Sequence, residues 1–384
     1  MKKVKLKAFV SANLGDDLFL DIICNRYPNT KFIITGSKKH KPVYKYIKNL
    51  KYISNDTLLV RTIMILQRKF AEIVNLVCRK ELVPLKITDS AVEDFYSRKA
   101  DVNVYITGSG FMNAESELET LPRKKVEEKK YYQRKPYLLG CNFGPYFHDE
   151  YLEMYKELFM DVSDLCFRDT HSLSMFSNIK QARWAPDIVF NYDKNTIEKL
   201  HCNNYKEYML ISVANLNKDN DSASGYYHSY LDFVRKIVQH RNKLKLHTVL
   251  VGFCNSQKDD ETIHEILREI EDNEYNHIYC YPDVTKDVIL SLFKSCDSVL
   301  ATRYHAMILA LLFEKKVCTV CYNEKTVNVI KDIDVHMPYI MLEELNELLP
   351  EQIDSKMYQV DKKKINVLIK TSQSHFRELD KELK

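Results

Sequence analysis

Glycine is scarce in this chain. It accounts for 8 of 384 residues, whereas average usage of about 7% would place roughly three times as many. With 45% hydrophobic and 29% charged residues, the composition excludes a disordered or fibrous chain and predicts a globular protein with a substantial core. The positions that kept glycine are therefore expected to need it.

A strong excess of one charge is also missing. Lys and Arg together number 57 and Asp and Glu 53, a formal net charge of +4, and the two signs are interspersed along the chain. The resulting field is far weaker than that of a dedicated nucleic-acid-binding protein. Nucleic acid is therefore not an expected partner.

No long uncharged hydrophobic run is present. Lys5 and Lys7 interrupt the apolar start of the chain, so it does not resemble a signal peptide, and we expect a cytoplasmic protein. The most apolar helical stretch, residues 58–83, contains too many charged side chains for a transmembrane helix. We interpret it as a packed helix. The alternative is a helix on the inner face of the membrane, which would give peripheral membrane association.

Sequence signatures of common cofactors and metals are absent. A dinucleotide fingerprint at residues 108–110 would need another glycine where Asn113 stands, and no Walker A sequence occurs. Cys318 and Cys321 have C-x-x-C spacing, but in a strand they would point to opposite faces, so we interpret them as buried thiols. The ten cysteines are expected to be reduced. We expect no NAD, FAD or other cofactor, and no metal.

Short apolar runs alternate with amphipathic helical stretches, the pattern of βα units in a parallel sheet. The predicted strands cover residues 4–10, 32–35, 102–107, 137–139, 165–167, 188–190, 209–213, 248–251, 277–280, 298–301 and 317–321. The predicted helices cover residues 17–24, 151–162, 229–240, 260–270, 286–296 and 305–313.

This order predicts an α/β protein of two doubly wound, Rossmann-like domains that face a cleft. The polar stretch 191–207 is the expected linker, which places the domains at residues 1–195 and 205–384. The charged segment 113–135 is interpreted as a solvated helix or loop rather than a site.

Most glycines lie where predicted strands end, and parallel sheets bind ligands at this edge. Residues 13–17 join the first strand to the first helix. There Gly15 can expose backbone N–H groups to an anion at the helix N-terminus, or the segment is a plain turn with Asp16 as N-cap. Gly108 and Gly110 mark a second such turn.

The junction between a strand ending at residue 301 and a helix beginning near residue 305 holds Arg303 and His305. Arginine suits a carboxylate or phosphate because its hydrogen bonds can be bidentate. Histidine at this position can donate to a leaving phosphate or take a hydroxyl proton near neutral pH. Helix capping and ion pairing are the alternative roles.

The first half of the chain offers two further charged candidate residues. Arg168 follows a predicted strand and is a second candidate cation, unless it forms a structural pair with Asp169. Asp187 offers a carboxylate near the domain junction, where it is either catalytic or a turn residue.

Taken together and in order, these motifs resemble the polysaccharide pyruvyl transferase family. They are Asn-Leu-Gly-Asp at 13–16, Gly-Ser-Gly-Phe at 108–111, the glycines at 140 and 144, Arg-Asp at 168–169, Pro-Asp at 186–187, Arg-Tyr-His-Ala at 303–306 and Tyr-Asn-Glu-Lys at 322–325. Ser11, Ala12 and Ser109 stand where the family often has glycine. The resemblance implies a fold similar to glycosyltransferase-B.

It also implies transfer of a pyruvyl group from phosphoenolpyruvate to sugar hydroxyls as a cyclic ketal, in biosynthesis of cell-surface polysaccharide. By the resemblance, Arg303 and His305 bind the donor and catalyse the reaction, Arg168 is a second anion contact, and Lys325 matches a family lysine. The turn residues Asn13, Gly15, Asp16, Gly108, Ser109 and Gly110, with Asp187, complete the expected substrate site.

The implied partners are phosphoenolpyruvate as donor substrate and a lipid-linked or nucleotide-linked sugar acceptor inside the cell. Our hypothesis is that the two arginines orient the donor, that His305 supplies a proton, and that Asp16 or Asp187 accepts the hydroxyl protons. Two rival functions remain: a glycosyltransferase of the same fold that uses a nucleotide-sugar, and a non-catalytic glycan-binding or protein-binding relative.

Overall fold

A computed structural model describes residues 1–56, 90–199, 207–217, 222–271 and 274–384, together with single positions between 62 and 74. The helix predicted at 58–83 lies outside the described residues except for those positions. Elements are numbered below along the described part of the chain. Its strands form two sheets, and every strand pair is parallel.

The first sheet has the strand order β3-β2-β1-β4-β5-β6-β7. Its strands are β1 (Lys3–Lys7), β2 (Lys31–Gly36), β3 (Leu50–Ser54), β4 (Val102–Ile106), β5 (Tyr137–Cys141), β6 (Asp164–Phe167) and β7 (Ala182–Trp184). The direction of winding reverses between β1 and β4, as in a doubly wound fold.

The second sheet repeats this arrangement with the order β10-β9-β8-β11-β12-β13. Its strands are β8 (Tyr208–Val213), β9 (His247–Gly252), β10 (Asn276–Cys280), β11 (Ser298–Ala301), β12 (Lys316–Cys321) and β13 (Tyr339–Met341). The two Rossmann-like sheets expected from the sequence are therefore confirmed. Cys318 and Cys321 lie in β12 and are buried, as predicted.

The helices of the described residues connect these strands. They are α1 (Leu14–Arg26), α2 (Ser90–Lys99), α3 (Leu121–Tyr132), α4 (Asp149–Leu158), α5 (Thr170–Met175), α6 (Tyr227–Lys243), α7 (Asp259–Leu267), α8 (Lys286–Ser295), α9 (Tyr304–Leu312), α10 (Glu324–Ile333), α11 (Lys362–Ser372) and α12 (Arg377–Leu383). None of these helices is long and apolar enough to span a bilayer.

One hydrophobic core continues through both halves. It contains Phe19 of α1, Phe293 of α8 and Met307 of α9, all buried. Helix α9 follows β11 and is buried on almost every side because nearly all its residues are apolar. Helix α1 is likewise buried along most of its length. The N-termini of these two helices are therefore fixed by packing, and both carry candidate site residues.

One predicted strand, residues 188–190, is wrong. Residues 188–190 form part of a short 3₁₀ turn, Ile188–Asn191. The carboxylate of Asp187 accepts a hydrogen bond of 2.9 Å from the Val189 N–H, which favours a turn over an extended chain. Three short strands, β3, β7 and β13, were missed. The charged segment 113–135 contains the largely solvated helix α3, as expected.

The end of the chain returns to the first half. Arg26 and Tyr27 at the end of α1 both bond the Asp380 carboxylate, at 2.6–2.9 Å. His375, between α11 and α12, contacts the Pro186 carbonyl oxygen at 2.8 Å. The second-half helices α11 and α12 thus pack on elements of the first sheet. The domain limits 1–195 and 205–384 stay a prediction.

Candidate functional site

The candidate residues lie at the carboxyl ends of strands in both sheets. Residues 13–16 follow β1 and residues 108–110 follow β4, the two strands between which the first sheet reverses its winding. Residues 303–305 follow β11, which lies beside β8 at the corresponding reversal in the second sheet. These are the places where doubly wound sheets bind ligands.

Several contacts join the two halves around this edge. The Leu14 N–H donates to the Phe253 carbonyl oxygen at 3.1 Å, and the Thr170 N–H and hydroxyl donate to Asp332 at 2.7 and 2.5 Å. Lys325 Nζ donates to Ser109 Oγ at 3.2 Å. The candidate residues of the two halves therefore lie where the halves contact each other.

Arg168 is a buried cation at the contact between the two halves. Its Nη2 donates to Asn142 Oδ1 at 2.7 Å and to Ser109 Oγ at 3.3 Å, and its Nη1 pairs with Asp187 Oδ2 at 3.2 Å. Although burial opposes the charge, Tyr304 and Asp187 raise the pKa of Arg168. Its Nε is buried without a partner in the described part of the chain.

Arg168 is not paired with Asp169, the alternative that the sequence left open. Asp169 instead caps helix α5, because its carboxylate accepts hydrogen bonds from the Ser172 N–H and hydroxyl at 2.7 and 2.9 Å. Gly108 allows the guanidinium to lie where it does, since a Cβ at that position would be 2.7 Å from Arg168 Nη1.

Asp187 is the carboxylate shared by the two halves. Besides Arg168, its Oδ2 accepts a hydrogen bond from the Tyr304 hydroxyl at 3.1 Å. The same oxygen lies 4.0 Å from His305 Nε2. Asp187 is fully buried. Its carboxylate both forms the turn and lies next to two candidate residues, Arg168 and His305.

His305 lies at the centre of the site with an unused nitrogen. Its side chain is 12% exposed, and among the described residues its buried Nε2 has no hydrogen-bond partner. Burial above all lowers the pKa of His305 to about 4, against the opposing charge of Asp187. The imidazole is therefore neutral near pH 7.

Gly15 makes room for this imidazole. A Cβ at Gly15 would lie 1.9 Å from His305 Nδ1, closer than any real contact. Asn13 is the N-cap of α1, since its Oδ1 accepts from the Gly15 N–H at 3.1 Å. The alternative in which Asp16 caps the helix is therefore wrong: Asp16 lies in the first turn.

The Gly15→Ala variant should be less stable than the wild type. Alanine inside a helix ordinarily stabilises by about 0.5–1 kcal/mol relative to glycine, so a lower melting temperature would report the clash with His305. Gly225→Ala is the matched control, because its added carbon would meet nothing within 4 Å. A Gly15→Ala protein that melts at or above the wild-type temperature would contradict this account.

Two neighbouring carboxyls are perturbed in the same direction. Burial raises the pKa of Asp16 to about 7, and Arg168 and the Gly108 backbone oppose the shift. Burial also raises the pKa of Asp17 to about 7. Asp17 accepts hydrogen bonds of 2.7 Å from Tyr44 of the first half and Tyr281 of the second. Asp17 was not predicted as a site residue because the favourable interaction with the helix dipole already explains an acidic residue in a first helical turn.

Arg303 was expected to bind the donor, but in the structure its guanidinium is bonded to other side chains. Its Nε and Nη2 form a bidentate pair with Asp259, with Nε at 3.0 Å from Oδ2. Its Nη1 donates to Gln257 Oε1 at 2.5 Å. Despite burial, Asp259 and Tyr322 raise the pKa of Arg303. The ion-pairing role left open by the sequence is thus present.

Asp259 holds Arg303 in place. This residue was not predicted from the sequence. Besides Arg303, its carboxylate accepts from the backbone N–H groups of Asn215, Phe253 and Cys254 at 3.0–3.1 Å. It is the first residue of α7, and the only signal in the sequence was an acidic helix start after Gly252.

Lys325 and the 108–110 turn close the other side of the site. Lys325 Nζ reaches both Ser109 Oγ and Met112 Sδ, the latter at 3.5 Å. Gly110 packs closely, since a Cβ there would be 2.6 Å from the Tyr105 hydroxyl. In the described part of the chain, no group of three or more metal-ligating side chains occurs.

The change in the free energy of unfolding at acidic pH tests whether the buried His375 has a lowered pKa. Burial lowers the pKa of His375 to about 4, so between pH 6.5 and 4 the unfolded chain binds a proton that the folded chain does not. Stability is lost as pH falls through this window. Asp16 and Asp17, with raised pKa values, act in the opposite direction, so a variant must be compared with the wild type.

The His375→Gln variant should therefore gain stability relative to the wild type as the pH falls from 6.5 to 4. Urea titrations at several pH values measure this difference. A difference that is constant over the window would show that His375 protonates as readily in the folded chain as in the unfolded one.

Solved structures share this architecture over nearly the whole chain. HepE from Anabaena in complex with UDP and glucose has a TM-score of 0.53 at 12% identity, covering 98% of this chain and 95% of that one. Its complex with UDP-glucose has a TM-score of 0.52 at 12% identity and covers 100% and 98%. A UDP-N-acetylglucosamine 2-epimerase has a TM-score of 0.53 at 9% identity and covers 100% and 95%.

Identities this low show the fold alone, and that fold is the expected glycosyltransferase-B-like pair of Rossmann-like domains. No curated protein matches the chain by sequence. The sequence model of the polysaccharide pyruvyl transferase family matches residues 13–324. The chain therefore belongs to the polysaccharide pyruvyl transferase family, a family of transferases.

Proposed function

We propose that this protein transfers a pyruvyl group from phosphoenolpyruvate to two hydroxyls of a sugar, forming a cyclic ketal. Family membership supports the reaction class. The observation that carries the proposal is the buried Nε2 of His305, which has no hydrogen-bond partner in the part of the chain that the structure describes and lies near Asp187 where the two halves meet. A neutral proton-transfer group next to fixed cations suits a donor with two anionic groups.

Arg168 and Lys325 are the proposed first contacts of the donor. Both hydrogen bond to Ser109 Oγ, so an anion displacing that hydroxyl would contact two positive charges. Arg303 can add a third contact through Nη1, because its present partner Gln257 is neutral while Nε and Nη2 stay on Asp259. Arginine would align a planar carboxylate or phosphate through paired hydrogen bonds.

The proposed chemistry begins with a proton on the donor's methylene carbon. Binding of the anionic donor raises the pKa of His305, because negative charge favours the imidazolium. His305 gives this proton to the methylene carbon, which becomes a methyl group, and the central carbon becomes electrophilic. The first sugar hydroxyl bonds to the central carbon and loses its proton to a nearby carboxylate.

The second half of the reaction expels phosphate. The bond between the central carbon and the phosphate oxygen breaks, the second hydroxyl bonds to the same carbon and loses its proton, and inorganic phosphate departs. The two hydroxyls release two protons and the methylene carbon takes up one. The remaining proton leaves on the phosphate or passes to solvent. Asp16 is the proposed acceptor of the hydroxyl protons, because its raised pKa of about 7 suits a general base.

We also propose that the acceptor is a lipid-linked or nucleotide-linked precursor of a cell-surface polysaccharide, pyruvylated in the cytoplasm or at the inner face of the membrane. No metal or further cofactor has a part in this scheme. A second candidate is glycosyl transfer from a nucleotide-sugar, which the likeness to HepE in complex with UDP-glucose favours.

A competition between donors tests the two candidates. The protein is incubated with ¹³C-labelled phosphoenolpyruvate, ¹³C-labelled UDP-glucose and a panel of glycan precursors, and products are read by mass spectrometry and NMR. We expect a product with a labelled ketal methyl group and an equal amount of phosphate. A labelled glycoside without a ketal would overturn the proposal in favour of glycosyl transfer.

A further inference from the structure

The returning segment, residues 371–376, comprises the end of α11 and the residues before α12, and it holds the turn that carries Asp187. His375 Nε2 lies 2.8 Å from the Pro186 carbonyl oxygen, just before Asp187. Asn191, at the other end of the turn, donates through Nδ2 to Ser372 Oγ at 3.1 Å. Both ends of the turn are therefore bonded to the same returning segment.

The proton on His375 can be placed by chemistry. A carbonyl oxygen only accepts hydrogen bonds, so Nε2 must be the protonated nitrogen. His375 is fully buried, and burial lowers its pKa to about 4, so the ring is neutral near pH 7. The contact with Pro186 is thus a fixed donor and acceptor pair shielded from water.

Arg183 fixes the segment from the other side. Its Nη2 donates to the His375 carbonyl oxygen at 3.0 Å, and its Nη1 donates to that of Ser374. The guanidinium is balanced by Asp164 of β6, at 2.5 and 3.0 Å. Arg183 lies in β7, the strand that leads directly into the turn. The returning segment is therefore bonded to the chain before Asp187 through Arg183 and after it through Asn191.

Asp187 has little freedom to move without losing its partners. One carboxylate oxygen faces Tyr304, Arg168 and His305, at 3.1, 3.2 and 4.0 Å. We infer that His375 is a positioning residue: by holding the Pro186 carbonyl it sets the place of Asp187, and thereby the position of the negative charge that faces His305 Nε2. For its effect on turnover, this inference rests on the proposed pyruvyl transfer.

Three variants separate positioning from mere packing. His375→Leu removes the donor with little change of volume, whereas His375→Gln can still present an N–H in place of Nε2. Ser374→Ala is the matched control, because its hydroxyl bonds the Thr371 carbonyl oxygen within the segment. Melting temperatures establish that each variant is folded under the conditions used.

The first measurement does not require the reaction. In protein labelled with ¹⁵N-histidine, the His305 signal is assigned by its loss in His305→Gln. We expect His375→Leu to shift the His305 imidazole resonances, and His375→Gln and Ser374→Ala to leave them near the wild-type positions. An unchanged His305 signal in a folded His375→Leu protein overturns the inference, whatever the reaction proves to be.

The second measurement uses turnover of phosphoenolpyruvate. We expect kcat to fall about 10- to 100-fold in His375→Leu, the cost of displacing a catalytic group by up to about 1 Å, with recovery in His375→Gln. In an Asp187→Asn background the same change should cause no further loss, because the two act through one interaction. Losses that multiply would overturn positioning through Asp187, and wild-type inactivity would instead count against pyruvyl transfer.

Discussion

Replacement of His305 by alanine is expected to lower pyruvyl transfer by about 100- to 10,000-fold, the usual contribution of general acid–base catalysis. The donor should still bind, because its anionic groups are assigned to Arg168, Arg303 and Lys325. The physical reason is that His305 has a buried nitrogen with no hydrogen-bond partner among the described residues, at the point where the two halves meet. Loss of kcat with retained binding of phosphoenolpyruvate is the expected pattern.

The measurement pairs phosphate release with donor binding by calorimetry. His240→Ala is a suitable control, because His240 lies in the last turn of α6 and pairs at 3.4 Å with the exposed Glu351. If His305→Ala kept full turnover with normal donor binding, the catalytic role of His305 would be wrong. If it lost donor binding as well, His305 would be a binding group rather than a proton donor.

The Asp259→Asn substitution is expected to destabilise the fold by about 3–5 kcal/mol, the cost of leaving a buried charge without its partner. Arg303 would remain in place with its charge uncompensated. The new amide group would also face backbone donors that now point at carboxylate oxygens. Since the pair joins the loops after β8, β9 and β11, its loss should loosen the whole second-sheet side of the site.

Urea denaturation measures this effect, with Glu261→Gln as the matched control on the same helix. Glu261 pairs with Lys258 at 3.2 Å, and both side chains are more than 60% exposed. An exposed pair of this kind contributes about 0–1 kcal/mol. Equal small changes in both variants would show that the Asp259 pair is solvated and does not hold the site.

The sequence predicted those elements whose apolar residues recur over several turns or alternate in a buried strand. Helix α6 is an example, because its buried positions follow the helical period through 17 residues. Strand β7 was missed because its three residues are too few to show alternation. The apolar run 188–190 suggested a strand, but the side chain of Asp187 bonds its own turn, and a local bond of this kind overrides propensity.

The sequence predicted several residues of the candidate site, but not which of them contact one another. Arg168 and His305 were named from strand ends, and doubly wound topology brings those ends together. Asp187 was named from its place near the predicted domain junction. Which charges pair could not be read from the sequence, because pairing depends on side chains that meet only in the folded chain. Asp259 and His375 were missed for this reason: each acts through a partner distant in the sequence.

The most direct test of the central claim is calorimetric titration of the protein with phosphoenolpyruvate and, separately, with UDP. The account expects phosphoenolpyruvate to bind with one site per chain and Lys325→Ala to weaken that binding, while Lys362→Ala, an exposed lysine that pairs with Glu314, leaves it unchanged. Binding of UDP without any binding of phosphoenolpyruvate would contradict the account and identify a nucleotide-dependent transferase.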